Sequence, residues 1–162
     1  MASDIFLKIE GVQGESIDAA HSNEIEVLSF NWGMAQGSSM HTGTGGGSGK
    51  ISVEDVTFTH FIDKSSPILI QHCFSGKHLP KAELTVRKAG NTPLDYFKVI
   101  MTDVMVTSVT AGGSNADGQR VVETVGLSFS KVEIEYQPQG KDGAAQGGKV
   151  KSGWDIKANK QV

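Results

Sequence analysis

A single cysteine, Cys73, stands in a chain of 162 residues. One thiol cannot close an intrachain disulfide, so the fold does not depend on an oxidising compartment. Concentrated positive charge is also missing. Fifteen Lys and Arg against eighteen Asp and Glu leave a formal net charge of −3, and the basic residues are scattered. A nucleic-acid binder needs a positive patch to neutralise phosphates, so that class is set aside. No apolar run approaches the length of a membrane span. Asp4 and Lys8 interrupt the stretch where a secretory leader would carry its apolar core. The expectation is a protein made in the cytoplasm without a signal peptide and without membrane insertion. If it leaves the cell, a machine must export it folded. Aromatic residues make up only 7% of the chain.

Catalytic and ligand-binding patterns are equally scarce. In the phosphate-loop pattern ending at Gly49-Lys50, the first glycine falls on Thr44 and the Ser/Thr on Ile51. A β-like run follows, whereas a phosphate loop opens a helix whose N-terminus holds the anion. The dinucleotide fingerprint fails where Ser48 occupies a glycine position. The five histidines, His21, His41, His60, His72 and His78, form neither H-x-H nor H-E-x-x-H. Glu54 and Asp55 are adjacent, so on a strand they point to opposite faces and cannot converge on one bond. No G-x-S-x-G elbow is present. No residue is nominated as catalytic or metal-binding, no cofactor is implied, and the chain reads as a non-enzyme.

What the chain does have is glycine and alternation. Twenty residues are glycine, against an average share near 7%, and they cluster at 43–49, 112–113 and 140–153. Between them lie runs of period two: Ile5, Leu7, Ile9; Ala82, Leu84, Val86; Val125, Leu127, Phe129; Val132, Ile134, Tyr136; and a long β-type run over 97–109. Two segments change phase. Ile25 and Val27 share one parity, and Leu28, Phe30 and Trp32 the other. Ile51 and Val53 share one parity, and Val56 and Phe58 the other. Such a flip marks either an ordinary corner or bulge, or a strand whose two faces are buried in different places, one of them a neighbouring subunit.

One helix is expected over about 64–75, with Ser66 as its cap, Pro67 in its first turn and Gly76 at its end. Leu69 and Cys73, and Ile70 and Phe74, pair at i,i+4. Cys73 is therefore read as a structural thiol on an apolar face. A reactive thiol needs an accessible, electropositive setting. After the polar 138–152 segment, Trp154 and Ile156 alternate like a short final strand. The fold class is mainly β: a barrel-like pair of packed antiparallel sheets with one flanking helix. It forms a single domain over 1–162, with flexible segments at 35–50 and 138–152.

Several stretches, in order from end to end, resemble the hemolysin-coregulated protein family, the tube proteins of bacterial type VI secretion. They are Gly14-Glu-Ser16 with Asp18 and His21; Ile25-Glu-Val-Leu-Ser-Phe-Asn-Trp-Gly-Met34; Gly76-Lys-His-Leu-Pro-Lys81; Leu84-Thr-Val-Arg-Lys-Ala-Gly90; Tyr136-Gln-Pro-Gln139; and Gly153-Trp-Asp-Ile-Lys-Ala-Asn-Lys160. The resemblance implies a homo-hexameric ring whose inner wall is β-sheet. Rings stack into a tube inside a contractile sheath, capped by a spike trimer, and small effector proteins travel in the lumen. A ring needs heterologous interfaces, one patch meeting a different patch on the neighbour.

On resemblance and parity, the lumen-facing candidates are Ser29, Asn31, Thr124, Gly126 and Ser128, small polar positions suited to a passage without apolar patches. The ring-stacking candidates are Gln36, Ser38, His41 and Gly45 in the long loop, Gly90 and Asn91 in a turn, and Lys157 in the tail. Two other classes stand beside this one. A phage-like tail-tube protein shares its logic. A carbohydrate-binding β-sandwich would require Trp32 and Trp154 to be exposed, whereas both are expected to be buried.

Overall fold

The structure, a computed structural model, describes residues 3–38, 41, 43, 48–116 and 118–162. Its strands follow the alternation. They are β1 (Ser3–Ile9), β2 (Ile25–Glu26), β3 (Ser29–Asn31), β4 (Met34–Ser38), β5 (Ser48–Val53), β6 (Val56–Phe61), β7 (Leu79–Lys88), β8 (Leu94–Gly112), β9 (Val122–Tyr136), β10 (Val150–Asp155) and β11 (Lys160–Gln161), with one helix, α1 (Ser66–Ser75), between β6 and β7. Every pairing is antiparallel.

One sheet runs β11-β10-β9-β8-β7-β1-β2. The N-terminal part of β9 pairs instead with β6, and β6 with β3. The long β8–β9 hairpin therefore belongs to both sheets. Met101 opposite Val132 and Val104 opposite Phe129 are all buried, although residues three apart on a regular strand face opposite ways. Asp103, with φ of 56°, marks where β8 passes from one sheet to the other.

The two phase flips have the same cause. Val27 N–H donates to Ile5 O at 2.9 Å and Leu28 N–H to Thr59 O at 2.8 Å, so within two residues the chain leaves β1 for β6. Likewise β5 pairs with β4, while β6, starting at Val56, pairs with β3 and β9. Both flips are corners between sheets. Between the sheets lies an apolar core in which Leu7, Phe58, Leu84, Val99, Val125 and Leu127 are fully or almost fully buried. Each side chain of this size contributes about 1.5–3 kcal/mol on burial.

The helix departs from expectation at three points. It starts at Ser66, two residues late, and its cap is Ser65. Ser65 Oγ bonds the Asp63 carboxylate, and Ser66 Oγ accepts from the Asp63 amide at 3.2 Å, so these hydroxyls organise the turn before the helix. Gly76, at φ 67°, ends it as expected, its N–H donating to His72 O at 2.9 Å. Leu69 is buried and Cys73 packs half-buried against the core, but Phe74 is 81% exposed while Ile70 is half-buried.

Both ends of the 35–50 segment are paired, since Gln36 faces Ile51 and Ser38 faces Ser48 in the β4–β5 hairpin. The 138–152 segment gives way to β10 at Val150. The final strand forms: Trp154 lies opposite Val132, and β11 folds back onto β10. Trp32 and Trp154 are half-buried rather than fully buried.

Candidate functional site

Register places the small polar residues in two complete rows across four strands. Ser29 lies beside Thr59, then Thr124, then Thr110. Asn31 lies beside Thr57, then Gly126, then Ser108. The row between them, Phe30, Phe58, Val125 and Val109, is apolar and points into the core. The outward face of β3-β6-β9-β8 thus carries hydroxyls, an amide and a glycine, with no charge in either row. Ser29 Oγ and Thr59 Oγ1 are hydrogen-bonded at 2.6 Å.

Gly126 is required by close approach. The register shifts between Val106 and Ser108, so Thr107 and Ser108 both crowd over it. A Cβ at this position would sit 2.6 Å from Ser108 Oγ and 3.0 Å from Thr107 Oγ1. The nearest carboxylate is Asp55, whose Oδ2 accepts from Thr107 Oγ1 at 2.6 Å. Ser128 lies further along the same face, opposite Met105. All five lumen candidates therefore share one surface. Thr57, Thr59, Thr107, Ser108 and Thr110 belong to it as well. The alternation of Thr57 and Thr59 about Phe58 carried the signal for two of them. The other sheet's outward face is the opposite in character. One row reads Thr85, Lys98, Glu135, Lys151, and another Lys8, Glu83, Ile100, Glu133. Lys98 Nζ bonds Glu83 at 2.8 Å and Lys151 lies 3.3 Å from Glu135, so these charges are largely paired with each other.

The stacking candidates divide between two ends. Gly90 and Asn91 are exposed in the β7–β8 turn. Lys157 is exposed at the other end, where its Nζ donates to Asp103 Oδ2 at 3.3 Å beside His78 Nδ1 at 2.7 Å. The nine steps of β8 from Leu94 to Asp103 span about 30 Å. The His78 contact, then Lys157, hold the Asp103 carboxyl below its usual range. Gln36 and Ser38 are exposed on the β4–β5 hairpin. Its base lies near Asp103, because Trp32 packs edge-on against Phe129, the partner of Val104. His41 is exposed in a turn, and Gly45 lies outside the described residues.

Beneath the 13–24 loop is a network that the sequence did not signal, since its members are far apart along the chain. Arg87 donates to both Asp18 oxygens at 2.8 Å and to Asp4 at 3.1 Å, and its guanidinium lies 4.9 Å from the Phe6 ring centroid. His21 stacks on the same ring at 4.3 Å between Glu24 and Asp95. The hydrogen bonds from Arg87 are the main reason the Asp18 carboxyl is lowered to about 2. Because the folded value is depressed, the contribution is present above the unfolded carboxylate range near 4 and is lost as pH falls through about 2. Carboxyl NMR should place the Asp18 midpoint about two units below an ordinary aspartate, and Arg87→Lys, which lacks the fork, should move it up. An unmoved midpoint would refute Arg87 as the cause.

Among the described residues, no three His, Cys, Asp or Glu side chains converge to hold a metal ion. Among the same residues, no helix is long and apolar enough to cross a membrane.

Two rows of small polar side chains backed by an apolar core, and a second sheet whose outward charges are largely paired, define a mainly β protein of packed antiparallel sheets. The comparisons give the family. The model described as type VI secretion system effector, Hcp, matches residues 6–136. The chain is 51% identical to protein hcp1 of Pseudomonas aeruginosa over 163 residues, covering all of both chains. It resembles the crystal structure of Hcp1 from Salmonella typhimurium at 48% identity and a TM-score of 0.84, again over all of both chains. A structure described as a type six secretion system protein gives a TM-score of 0.94 at 32% identity, over 99% of this chain and all of that one. The chain belongs to the Hcp family of type VI secretion proteins, a family of secreted structural proteins. That membership separates it from both the phage tail-tube and the carbohydrate-binding readings.

Proposed function

We propose that six copies close edge to edge into a ring, that rings stack into the expelled inner tube of a type VI secretion system, and that small effector proteins ride in its lumen. The sheath and the spike trimer are the other partners, export proceeds without a signal peptide, and the chain has no catalytic role. The observation that carries this reading is the four-stranded sheet itself. Its two central outward rows carry no charged residue, and both of its edges, Ser29–Asn31 on one side and 105–112 on the other, lack strand partners among the described residues. Unpaired edges invite pairing with another chain. Two different edges joining head to tail generate a ring when the rotation closes. Six such sheets, at about 4.8 Å per strand and a tilt near 40°, enclose a bore of about 40–50 Å between backbones. Side chains narrow it to about 35 Å, which admits a folded domain of about 100 residues.

The test is the solution mass by light scattering, with electron microscopy of the same peak. A mass of six chains and annular particles are expected; a monomer at every accessible concentration would sink the reading. Stacking is tested separately by deleting residues 38–48. Rings should persist at the same mass while tubes shorten or vanish, and unchanged tubes would remove this segment from the stacking interface.

A further inference from the structure

We propose that the bond between Asp55 and Thr107, drawn across Gly126, sets the bend of the four-stranded sheet and thereby the number of copies that close a ring. This rests on the ring reading and specifies what fixes the size of the ring. Asp55 immediately precedes β6. Gly126 of β9 lies opposite Thr57 on one side and Ser108 on the other. Thr107 is the extra residue of the β8 bulge, where the register shifts between Val106 and Ser108. Thr107 and Ser108 are both exposed, between the core residues Val106 and Val109. Thr107 Oγ1 donates to Asp55 Oδ2 at 2.6 Å. A bond from the start of β6 to β8 has to cross β9, and it crosses where β9 has no side chain. A Cβ on Gly126 would lie 2.6 Å from Ser108 Oγ, 3.0 Å from Thr107 Oγ1 and 3.8 Å from Asp55 Oδ2.

Backbones two strands apart in a flat sheet are separated by about 9.6 Å. The bridge draws the β6 and β8 sides together on the outward face only. The inward face is filled by Phe58, Val125 and Leu127, all buried, and a packed core resists compression. Shortening one face against a fixed opposite face makes the shortened face concave. The bulge adds to this, because it bends its strand and raises the local twist. The concave side is the one that carries Ser29, Asn31 and Thr124, as an inner wall requires. Thr107 also lies within the 105–112 edge, so the bend is applied at the joint with the next copy. A ring of six turns by about 60° per copy and a ring of seven by about 51°. The difference, about 9°, is less than half the roughly 20–25° of twist between neighbouring strands. Relaxing a single bulge is therefore enough to change the count.

The test counts copies per ring by native mass spectrometry, with electron microscopy of the same sample. The parent should give rings of one size. Thr107→Val, which keeps the shape and removes the donor, and Asp55→Ala, which removes the acceptor, should each spread the count. At least about a quarter of their rings should hold a different number of copies or stand open as arcs. Gly126→Ala, which wedges the bridge apart, should do the same. Thr107→Ser keeps a hydroxyl and Asp55→Asn keeps a carbonyl oxygen, so both should return the parental count. That recovery separates the bond from the volume of the side chains and from the charge of Asp55. Near-ultraviolet circular dichroism should match the parent throughout; should Gly126→Ala fail to fold, the Thr107 and Asp55 variants carry the test. Rings of the parental size alone from Thr107→Val and Asp55→Ala would overturn the proposal. So would single chains from both, or a spread that Thr107→Ser shares with Thr107→Val. A parent with the mass of one chain would instead fail the ring reading itself, and the proposal with it.

Discussion

Proline at position 109 or at position 110 should turn a ring into single chains in one case and destabilise the chain in the other. Val109 lies opposite Val125 and Thr110 opposite Thr124, while their other side has no strand partner among the described residues. Successive residues of an antiparallel strand direct their amides alternately to the two sides. One of the two prolines therefore removes a ladder bond to β9 and lowers stability. The other removes only an outward amide, which an edge strand tolerates. That second variant should keep its unfolding midpoint and near-ultraviolet circular dichroism, yet elute at the mass of one chain. Rings from both variants would exclude this edge from the interface.

The opposite edge gives a sharper form of the same test. Proline within Ser29–Asn31, at the position whose amide faces away from Thr57–Thr59, should also give monomers. In a heterologous ring each variant retains one intact edge, and the two intact edges are complementary. Mixing them should yield a two-chain species and nothing larger. If the contact were isologous through β8 alone, the β3 variant would assemble unaided and mixing would change nothing. The mass of the mixture therefore reports the symmetry of the contact directly.

The strands were legible because this sheet has one apolar and one polar face. Period two in Ile5–Leu7–Ile9, Ala82–Leu84–Val86 and Val125–Leu127–Phe129 comes from the need to bury alternate side chains, and the same residues form the core. The phase flips at Val27–Leu28 and Val53–Val56 were equally legible as events. Their meaning needed the partners, β1 against β6 and β4 against β9, because a corner and a second buried face leave the same pattern in sequence.

The candidate surface was legible in part for a related reason. Parity places Thr124 and Gly126 on one face of their own strand, but only register aligns them with Thr57–Thr59 and Ser29–Asn31. Ser108 and Thr107 escaped because the bulge puts neighbours in sequence over the same glycine, against strict alternation. Phe74 was misread for a different reason. Helical spacing reports which residues share a face, and it does not say how far along the helix the barrel remains in contact.

Loss of the Glu123 carboxylate alone should be among the most destabilising single changes in the chain. Glu123 and His60 lie side by side on β9 and β6, both fully buried, with His60 Nε2 2.8 Å from Glu123 Oε1. Among the described residues neither His60 Nδ1 nor Glu123 Oε2 has a hydrogen-bond partner, and a further carboxylate, Asp63 Oδ2, is 3.9 Å from Nδ1. Glu123→Ala would strand a buried polar ring beside a cavity. Breaking a buried pair in this way costs about 3–5 kcal/mol, or about 6–20 °C for a chain of this size. Desolvating both partners is itself unfavourable, so replacing them together by packed apolar side chains should recover most of that loss. The experiment compares urea unfolding of Glu123→Ala, and of the cycle Glu123→Met, His60→Leu and the double variant His60→Leu with Glu123→Met, at one fixed protein concentration, since assembly contributes to apparent stability. A double variant near the parent, with both singles far below it, identifies the pair as a coupled polar unit within the sheet. A double variant as unstable as the sum of the singles would mean that the two side chains act through independent packing, and that their 2.8 Å contact contributes no coupling.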